Sequence, residues 1–291
     1  MSLVSTIRNI LAHPLNRGQP LAALGRFVRW QVASRLLRAK IVHPWIDGAR
    51  VIVQNGDQGM TGNLYCGLHE YADMAYLLHV IGSADCFVDI GANVGSYTVL
   101  ACAARGAAGY CFEPVPATFA RLMDNIRIND LANRVVALNI GLSDRPGTLR
   151  FSTDEDCMNH VVADGGVAVR VERLDDVLKD ASPALMKIDV EGFEAQVLAG
   201  AEAVLGRPSL HSVIMELNGS GGRYGISDAQ ILQTMLAHGF GAYCYDPFSR
   251  TLAPLDGKNE VSGNTLFIRD IERVRAKIAI AAPIEVIGHR L

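Results

Sequence analysis

The chain has 291 residues and a mass of 31.4 kDa, room for one large domain with an appendage or for two small ones. Apolar residues make up 49% and charged residues 20%, enough to bury a sizeable core and incompatible with wholesale disorder. The formal net charge of −3 excludes a chain whose main task is coating nucleic acid, because phosphate binding needs a basic face.

That charge is unevenly placed. Residues 1–46 hold seven basic side chains (Arg8, Arg17, Arg26, Arg29, Arg35, Arg38 and Lys40) and no Asp or Glu. The rest of the chain has 20 basic against 30 acidic residues, a net −10. The basic head reads as helical: Leu21, Leu24, Val28 and Val32 recur at three- and four-residue spacing, with Phe27, Leu36 and Leu37 widening the apolar side. Pro14 and Pro20 split it into two short helices. Residues 50–67 alternate weakly from Val51 to Val53 and then become Gly-rich, the pattern of a short hairpin. A helix follows over 70–80.

From residue 85 short apolar runs alternate with helical periods. Strands are predicted at 87–90, 109–112, 135–140, 184–190 and 213–217, with two last strands at 243–245 and 265–268. Helices fall between them at 96–104, along the row Phe119, Leu122, Met123 and Ile126, and through Val197 and Leu198. A further helix is opened by a Ser227/Gln230 capping box and closed by Gly239. Residues 149–151 and 167–171 flank an irregular stretch with Asn159 and His160. This alternation gives a parallel sheet covered on both faces, whose ligands bind where the strand order reverses.

The six cysteines (Cys66, Cys86, Cys102, Cys111, Cys157 and Cys244) show no CxxC and no zinc spacing, and read as small hydrophobes in a reducing compartment. No apolar stretch reaches the roughly 18 residues of a membrane span, and the N-terminus lacks a secretory core. The expected location is cytoplasmic.

The sharpest signal is Val88-Asp89-Ile90-Gly91-Ala92-Asn93-Val94-Gly95-Ser96, where a strand ends, a glycine turn follows and a helix begins. Such a turn is a ready anion or cofactor site. A dinucleotide site wants a bare middle glycine so that the backbone approaches a pyrophosphate, and Asn93 stands in that place. Asp89 would repel a pyrophosphate and suits a ligand with a cationic end. S-adenosylmethionine (SAM), with its ammonium and sulfonium, fits that charge better than NAD. Glu113, at the end of the next strand and before Pro114, is placed to accept from ribose hydroxyls, which both ligands carry. Gly141, Leu142, Ser143 and Asp144 fall where an adenine would lie, with Asp144 either an acceptor for its amino group or part of a simple turn. Glu70 is placed to reach the ammonium or to lie on the surface.

Asp89-Ile-Gly-Ala-Asn-Val-Gly-Ser-Tyr-Thr98, Phe112-Glu-Pro-Val-Pro116, Asn125 with Asn129, and Lys187-Ile-Asp-Val-Glu-Gly-Phe-Glu194 together resemble the FkbM-type SAM-dependent methyltransferases over about residues 65–218. The resemblance implies an α/β class I methyltransferase fold: a Rossmann-like, seven-stranded, mostly parallel sheet with helices on both faces and an antiparallel last strand. It also implies SAM as cofactor and O-methylation, often of sugars or polyketide products. The cofactor set is then Glu70, Asp89, Gly91, Ala92, Asn93, Gly95, Ser96, Tyr97, Glu113, Pro114, Gly141 to Asp144, and Asp189. The expected layout is a basic helical extension with a hairpin (1–64), the methyltransferase domain (65–275) and a C-terminal tail (276–291).

Transfer of a methyl group to a hydroxyl needs alignment and a base. His160, Asp189 and Glu191 are the candidate bases, His160 on intrinsic pKa and the carboxylates on their place at the ligand edge of the sheet. Asn159, His160, Glu216 and Asn218 are the candidate acceptor contacts. Two carboxylates alone are a weak metal signal, and no metal is predicted. Residues 219–225 read as a mobile rim loop. The basic head either packs as an oligomer contact or cover, which is the favoured reading, or lies on the anionic inner membrane surface near a lipid-linked sugar. The rival functions are an NAD-dependent oxidoreductase and a non-catalytic SAM-binding scaffold.

Overall fold

The computed structural model describes residues 3–37, 39–152 and 159–291. The prolines split the head as expected, into α1 (Leu3–Ala12) and α2 (Pro20–Leu37). The packed face of α2 is not the predicted one. Ala23, Phe27, Trp30 and Ser34 are buried, whereas Leu21, Val28, Val32 and Leu36 are more than half exposed. Aromatic area decides which side turns inward, and Phe27 meets Tyr65 edge-on at 5.3 Å.

The hairpin is also displaced. β1 (Ile41–Pro44) pairs antiparallel with β2 (Arg50–Val53), and the Gly-rich stretch read as hairpin is the helix α3 (Gln58–Cys66). Asn125 and Asn129 hold this hairpin to the body: Asn125 Oδ1 accepts from the Ile52 N–H at 2.7 Å and Asn129 Oδ1 from the Arg50 N–H at 2.8 Å. These two motif residues are structural.

After α4 (Tyr71–Val80) the chain alternates β3 (Cys86–Ile90), α5 (Ser96–Val99), β4 (Ala108–Phe112), α6 (Pro116–Ile128) and β5 (Val135–Leu138). A separate four-stranded sheet follows, made of β6 (Gly141–Leu142), β7 (Gly147–Phe151), β8 (Val161–Val162) and β9 (Val167–Glu172). Then come α7 (Leu174–Val177), β10 (Leu185–Ile188), α8 (Glu194–Ala199), α9 (Glu202–Leu205), β11 (Ser212–Glu216) and α10 (Asp228–Ala237). The chain ends with β12 (Gly241–Asp246), β13 (Thr251–Pro254), β14 (Asn264–Ile268), α11 (Ile271–Ile280) and a hairpin of β15 (Glu285–Val286) and β16 (His289–Arg290).

The main sheet runs β13-β12-β14-β11-β10-β3-β4-β5. β11, β10, β3, β4 and β5 are parallel, and β14 lies antiparallel between β11 and β12. The expected seven strands are present, and a hairpin on β12 adds β13 as an eighth at the edge. Covered on both faces, β3, β10 and β11 are nearly continuous apolar runs. The strand order reverses between β3 and β10, which opens a crevice at their carboxyl ends.

Residues 276–291, expected as a tail, close the core: Ile284, Val286 and Leu291 are buried in it. Gln19 Nε2 donates to the Ile287 carbonyl at 2.9 Å and so ties head to C-terminus. Among the described residues no helix is long and apolar enough to cross a membrane.

Candidate active site

The crevice holds a cleft with about 730 Å³ of open space, counting its mouth. Gly91, Asn93, Glu113, Pro114, Gly141, Leu142, Asn159, Asp189 and Glu191, all candidates from the sequence, line it. The sequence reading missed Thr118, Phe151 and Phe193, which supply further walls.

The glycine turn is fixed by contact. Gly91 takes a φ of +77°, and a Cβ there would lie 1.8 Å from the Asp189 carbonyl oxygen. Bare backbone is what lets the β3 turn touch the end of β10. The N–H groups of Gly91 and Ala92 both donate to the Phe112 carbonyl, at 3.1 and 2.9 Å. Asn93 is left-handed too, at φ +49°, a conformation asparagine tolerates. Ala92, Gly95 and Tyr97 are buried behind the turn, and Ser96 Oγ accepts from Asn63 Nδ2 at 3.3 Å.

Asp89 does not face the cleft. It is 2% exposed and accepts a hydrogen bond from Thr98 Oγ1 at 2.6 Å, and burial pushes its carboxyl up to about 6. Its geometry is that of a brace under the turn. The carboxylates that do reach the cleft belong to Glu113, Asp189 and Glu191.

Glu113 is held from both sides. One carboxylate oxygen accepts from the Asn93 N–H at 3.0 Å and the other from the Val115 N–H at 2.9 Å. Each oxygen keeps a further lone pair for a ligand hydroxyl. Burial raises this carboxyl to about 7 against the pull of those two donors. Asn139 Nδ2 supports the strand end by donating to the Glu113 and Pro114 carbonyls at 2.8 and 2.9 Å. Gly141 lets the neighbouring sheet close in, since a Cβ there would lie 3.0 Å from both the Phe151 ring and Val171.

The opposite wall is a charge cluster. Lys187 is 2% exposed and donates to Asp189 Oδ2 at 2.7 Å, with its ammonium 4.8 Å from the centre of the Tyr97 ring. Burial works against that ammonium, but Asp189, Glu70 and Glu216 hold its pKa above the ordinary lysine value. Asp189, Glu191 and Glu216 each place a carboxylate oxygen within 4.8 Å of the others. Burial first, then Asp189, pushes the Glu216 carboxyl above the ordinary carboxylate range, against the pull of Lys187. Glu191 stands at φ +54° in the turn after β10, which the carboxylate of Glu194 braces by accepting from the Gly192 N–H at 3.1 Å.

Glu70 belongs to the same network. Asn264 Nδ2 bridges Glu70 Oε1 at 2.8 Å and Asp73 Oδ2 at 3.1 Å, and the Asp73 carboxyl is raised to about 7 by burial and by Glu70. Asp73 and Asn264 escaped the sequence reading. Asp73 lies one helical turn after Glu70, a usable signal, whereas only the fold brings Asn264 there.

Ser143, Asp144, Asn218 and His160 also stand apart from the lining. Ser143 is buried, its N–H bonded to the Glu172 carbonyl, and Asp144 is exposed and accepts from Ser143 Oγ at 3.0 Å. The chain leaves the main sheet at Gly141 to pair with β9, which turns both residues away from the cleft. Asn218 is exposed and accepts from the Ser220 N–H at 2.9 Å, bracing its own loop. His160 pairs its backbone with Ser152 beside Asn159 and is not among the lining residues. The rim segment expected to be mobile forms a 3-10 turn, Ser220–Tyr224, and is anchored by Tyr224, whose hydroxyl donates to the Val161 carbonyl at 2.9 Å.

A mainly parallel sheet with an antiparallel strand beside its fifth core strand, a glycine turn after the first and an acid ending the second define the class I methyltransferase fold. Residues 89–241 match the family described as the methyltransferase FkbM domain, and the chain belongs to that family. It is 31% identical over 149 residues to the hexuronic acid methyltransferase AglP of Haloferax volcanii, covering 49% of this chain and 59% of that protein. It is 28% identical over 211 residues to the 31-O-demethyl-FK506 methyltransferase FkbM of Streptomyces tacrolimicus, covering 58% of this chain and 78% of the relative. Among solved structures, an FkbM methyltransferase of Methylobacillus flagellatus KT is 15% identical, with a TM-score of 0.46 over 73% of this chain and 55% of that one.

Proposed function

We propose that the chain is a SAM-dependent O-methyltransferase acting on a hydroxyl of a sugar, glycan or secondary metabolite. The observation that carries this reading is the pairing, in one cleft, of a backbone-held Glu113 with an acid-rich opposite wall. When bound, SAM supplies an electrophilic methyl group on a sulfonium.

The chain's own residues supply the rest. Glu113 accepts the ribose hydroxyls through its remaining lone pairs. Gly91 and Gly141 let the cleft's walls close, against the Asp189 carbonyl and against Phe151 and Val171. Asp189, with Glu70 behind it, complements a cationic amino acid end, and Lys187 keeps that wall from repelling itself apart. The same wall disfavours NAD, whose pyrophosphate would face carboxylates. Glu191, which lines the cleft at the turn after β10, is the base for the acceptor hydroxyl. His160 stands outside the lining, next in the chain to the lining residue Asn159. The names of the two relatives, one a hexuronic acid and one an FK506 methyltransferase, support an oxygen-rich acceptor.

The test is transfer from methyl-labelled SAM to a panel of hexuronic acid glycosides, neutral glycosides and macrolide polyols. Label is expected in a base-stable methyl ether on at least one class. A nicotinamide absorbance change with any of them, and label in none, would overturn the reading.

A further inference from the structure

α2 is apolar on two opposite sides. At about 100° per residue, Ala23, Phe27, Trp30 and Ser34 form one stripe, which is buried against the body. Leu21, Val28, Val32 and Leu36 form the opposite stripe, with exposures of 83%, 55%, 52% and 77%. Arg29 flanks that outward stripe on one side and Arg35 on the other, both exposed. Among the described residues no carboxylate pairs with either, and Arg35 folds back onto the carbonyl and side chain of Gln31, at 2.6 Å each. Residues 1–46 contain no Asp or Glu at all.

We propose that this outward face of α2 docks on an anionic lipid bilayer. An apolar stripe edged by arginines on a helix lying along the surface is the arrangement that seats in a headgroup layer, stripe toward the acyl chains and guanidinium groups on the phosphates. Charge decides between occupants. Two copies meeting through the same face would set Arg29 and Arg35 against their own equivalents, whereas an anionic leaflet answers them.

The docked layer lies one helix from the glycine turn. Arg26 Nε donates to the Tyr65 carbonyl of α3 at 3.0 Å and Gln31 Nε2 to its hydroxyl at 3.1 Å, while Asn63 of α3 reaches Ser96. The proposal is independent of the chemistry assigned to the cleft.

The experiment is co-sedimentation of the full chain with vesicles of phosphatidylcholine carrying one quarter phosphatidylglycerol, and with vesicles of phosphatidylcholine alone. Binding is expected to the anionic vesicles, weakened about tenfold or more by Val28→Glu with Val32→Glu, by Arg29→Gln with Arg35→Gln, and by salt near about 0.5 M. Since all four positions are exposed, thermal melting followed by circular dichroism should be unchanged in both variants. The proposal is overturned by a wild-type chain that stays in the supernatant, or by a Val28→Glu, Val32→Glu chain that sediments as the wild type does. A wild-type dimer made monomeric by that pair, with no vesicle binding, would give the face to a second copy instead.

Discussion

On the β3–β4 wall of the cleft each carboxylate is met by neutral donors, Asp89 behind the wall by the Thr98 hydroxyl and Glu113 at its face by two backbone N–H groups. On the β10–β11 wall Asp189, Glu191 and Glu216 crowd one another around the buried ammonium of Lys187. The first wall is positioned by covalent geometry and hydrogen bonds, so it suits recognition of an uncharged sugar. The second wall stores negative charge at the sheet edge, so it suits a cation and proton transfer.

The sharpest way to separate the walls is Glu191→Gln. Methyl transfer should fall by roughly 10²–10⁴-fold with SAM affinity nearly kept, as read by single-turnover label transfer and calorimetry. Equal loss of binding and turnover would place Glu191 with the cofactor instead. Gly91→Ala attacks the contact between the walls. It should destabilise the chain by about 3 kcal/mol or more in chemical denaturation, because the new methyl meets the Asp189 carbonyl in a left-handed backbone. Glu113→Gln removes a charge-assisted acceptor from the first wall and should weaken SAM binding about tenfold without changing the pH optimum of turnover.

A smaller effect concerns pH. The buried carboxyls of Asp73, Glu113 and Glu194 are raised to about 7, so in the folded chain they hold protons that the unfolded chain has already lost. The stability they contribute is full below the unfolded carboxylate values and is lost as pH rises through about 7. His79 and His211, lowered to about 4 by burial, act in the opposite sense, but only up to their unfolded value of 6.5. Between pH 6.5 and 8 the carboxyl effect is therefore unopposed by them, and the melting temperature should drop by a few degrees. Asp73→Asn should shrink that drop; an unchanged slope would remove Asp73 from the account.

How far the sequence could be read follows the same division. Gly91 and Glu113 were legible because a strand-to-helix turn and an acid at the next strand end are demanded by backbone geometry. The second wall was legible in its residues, through the Lys187–Glu194 motif, but not in its pairing, because which carboxylate Lys187 takes depends on side-chain packing. Asn264 reaches Glu70 only through the sheet order, which no local pattern encodes. Of the two readings open for Asp144 the structure takes the turn, because β6 leaves the main sheet for β9. The outward stripe of α2 was taken for the packed one because a helical period marks both apolar sides alike, and only the bulk of Phe27 and Trp30 tells them apart.

The central claim, that the acid-walled cleft receives a sulfonium nucleotide, is tested most directly by titrating the chain with SAM and with NAD in parallel by isothermal calorimetry. The account predicts saturable binding of SAM, lost on Glu113→Ala, and no heat of binding with NAD. Saturable NAD binding sensitive to the same substitution, with none for SAM, would contradict it.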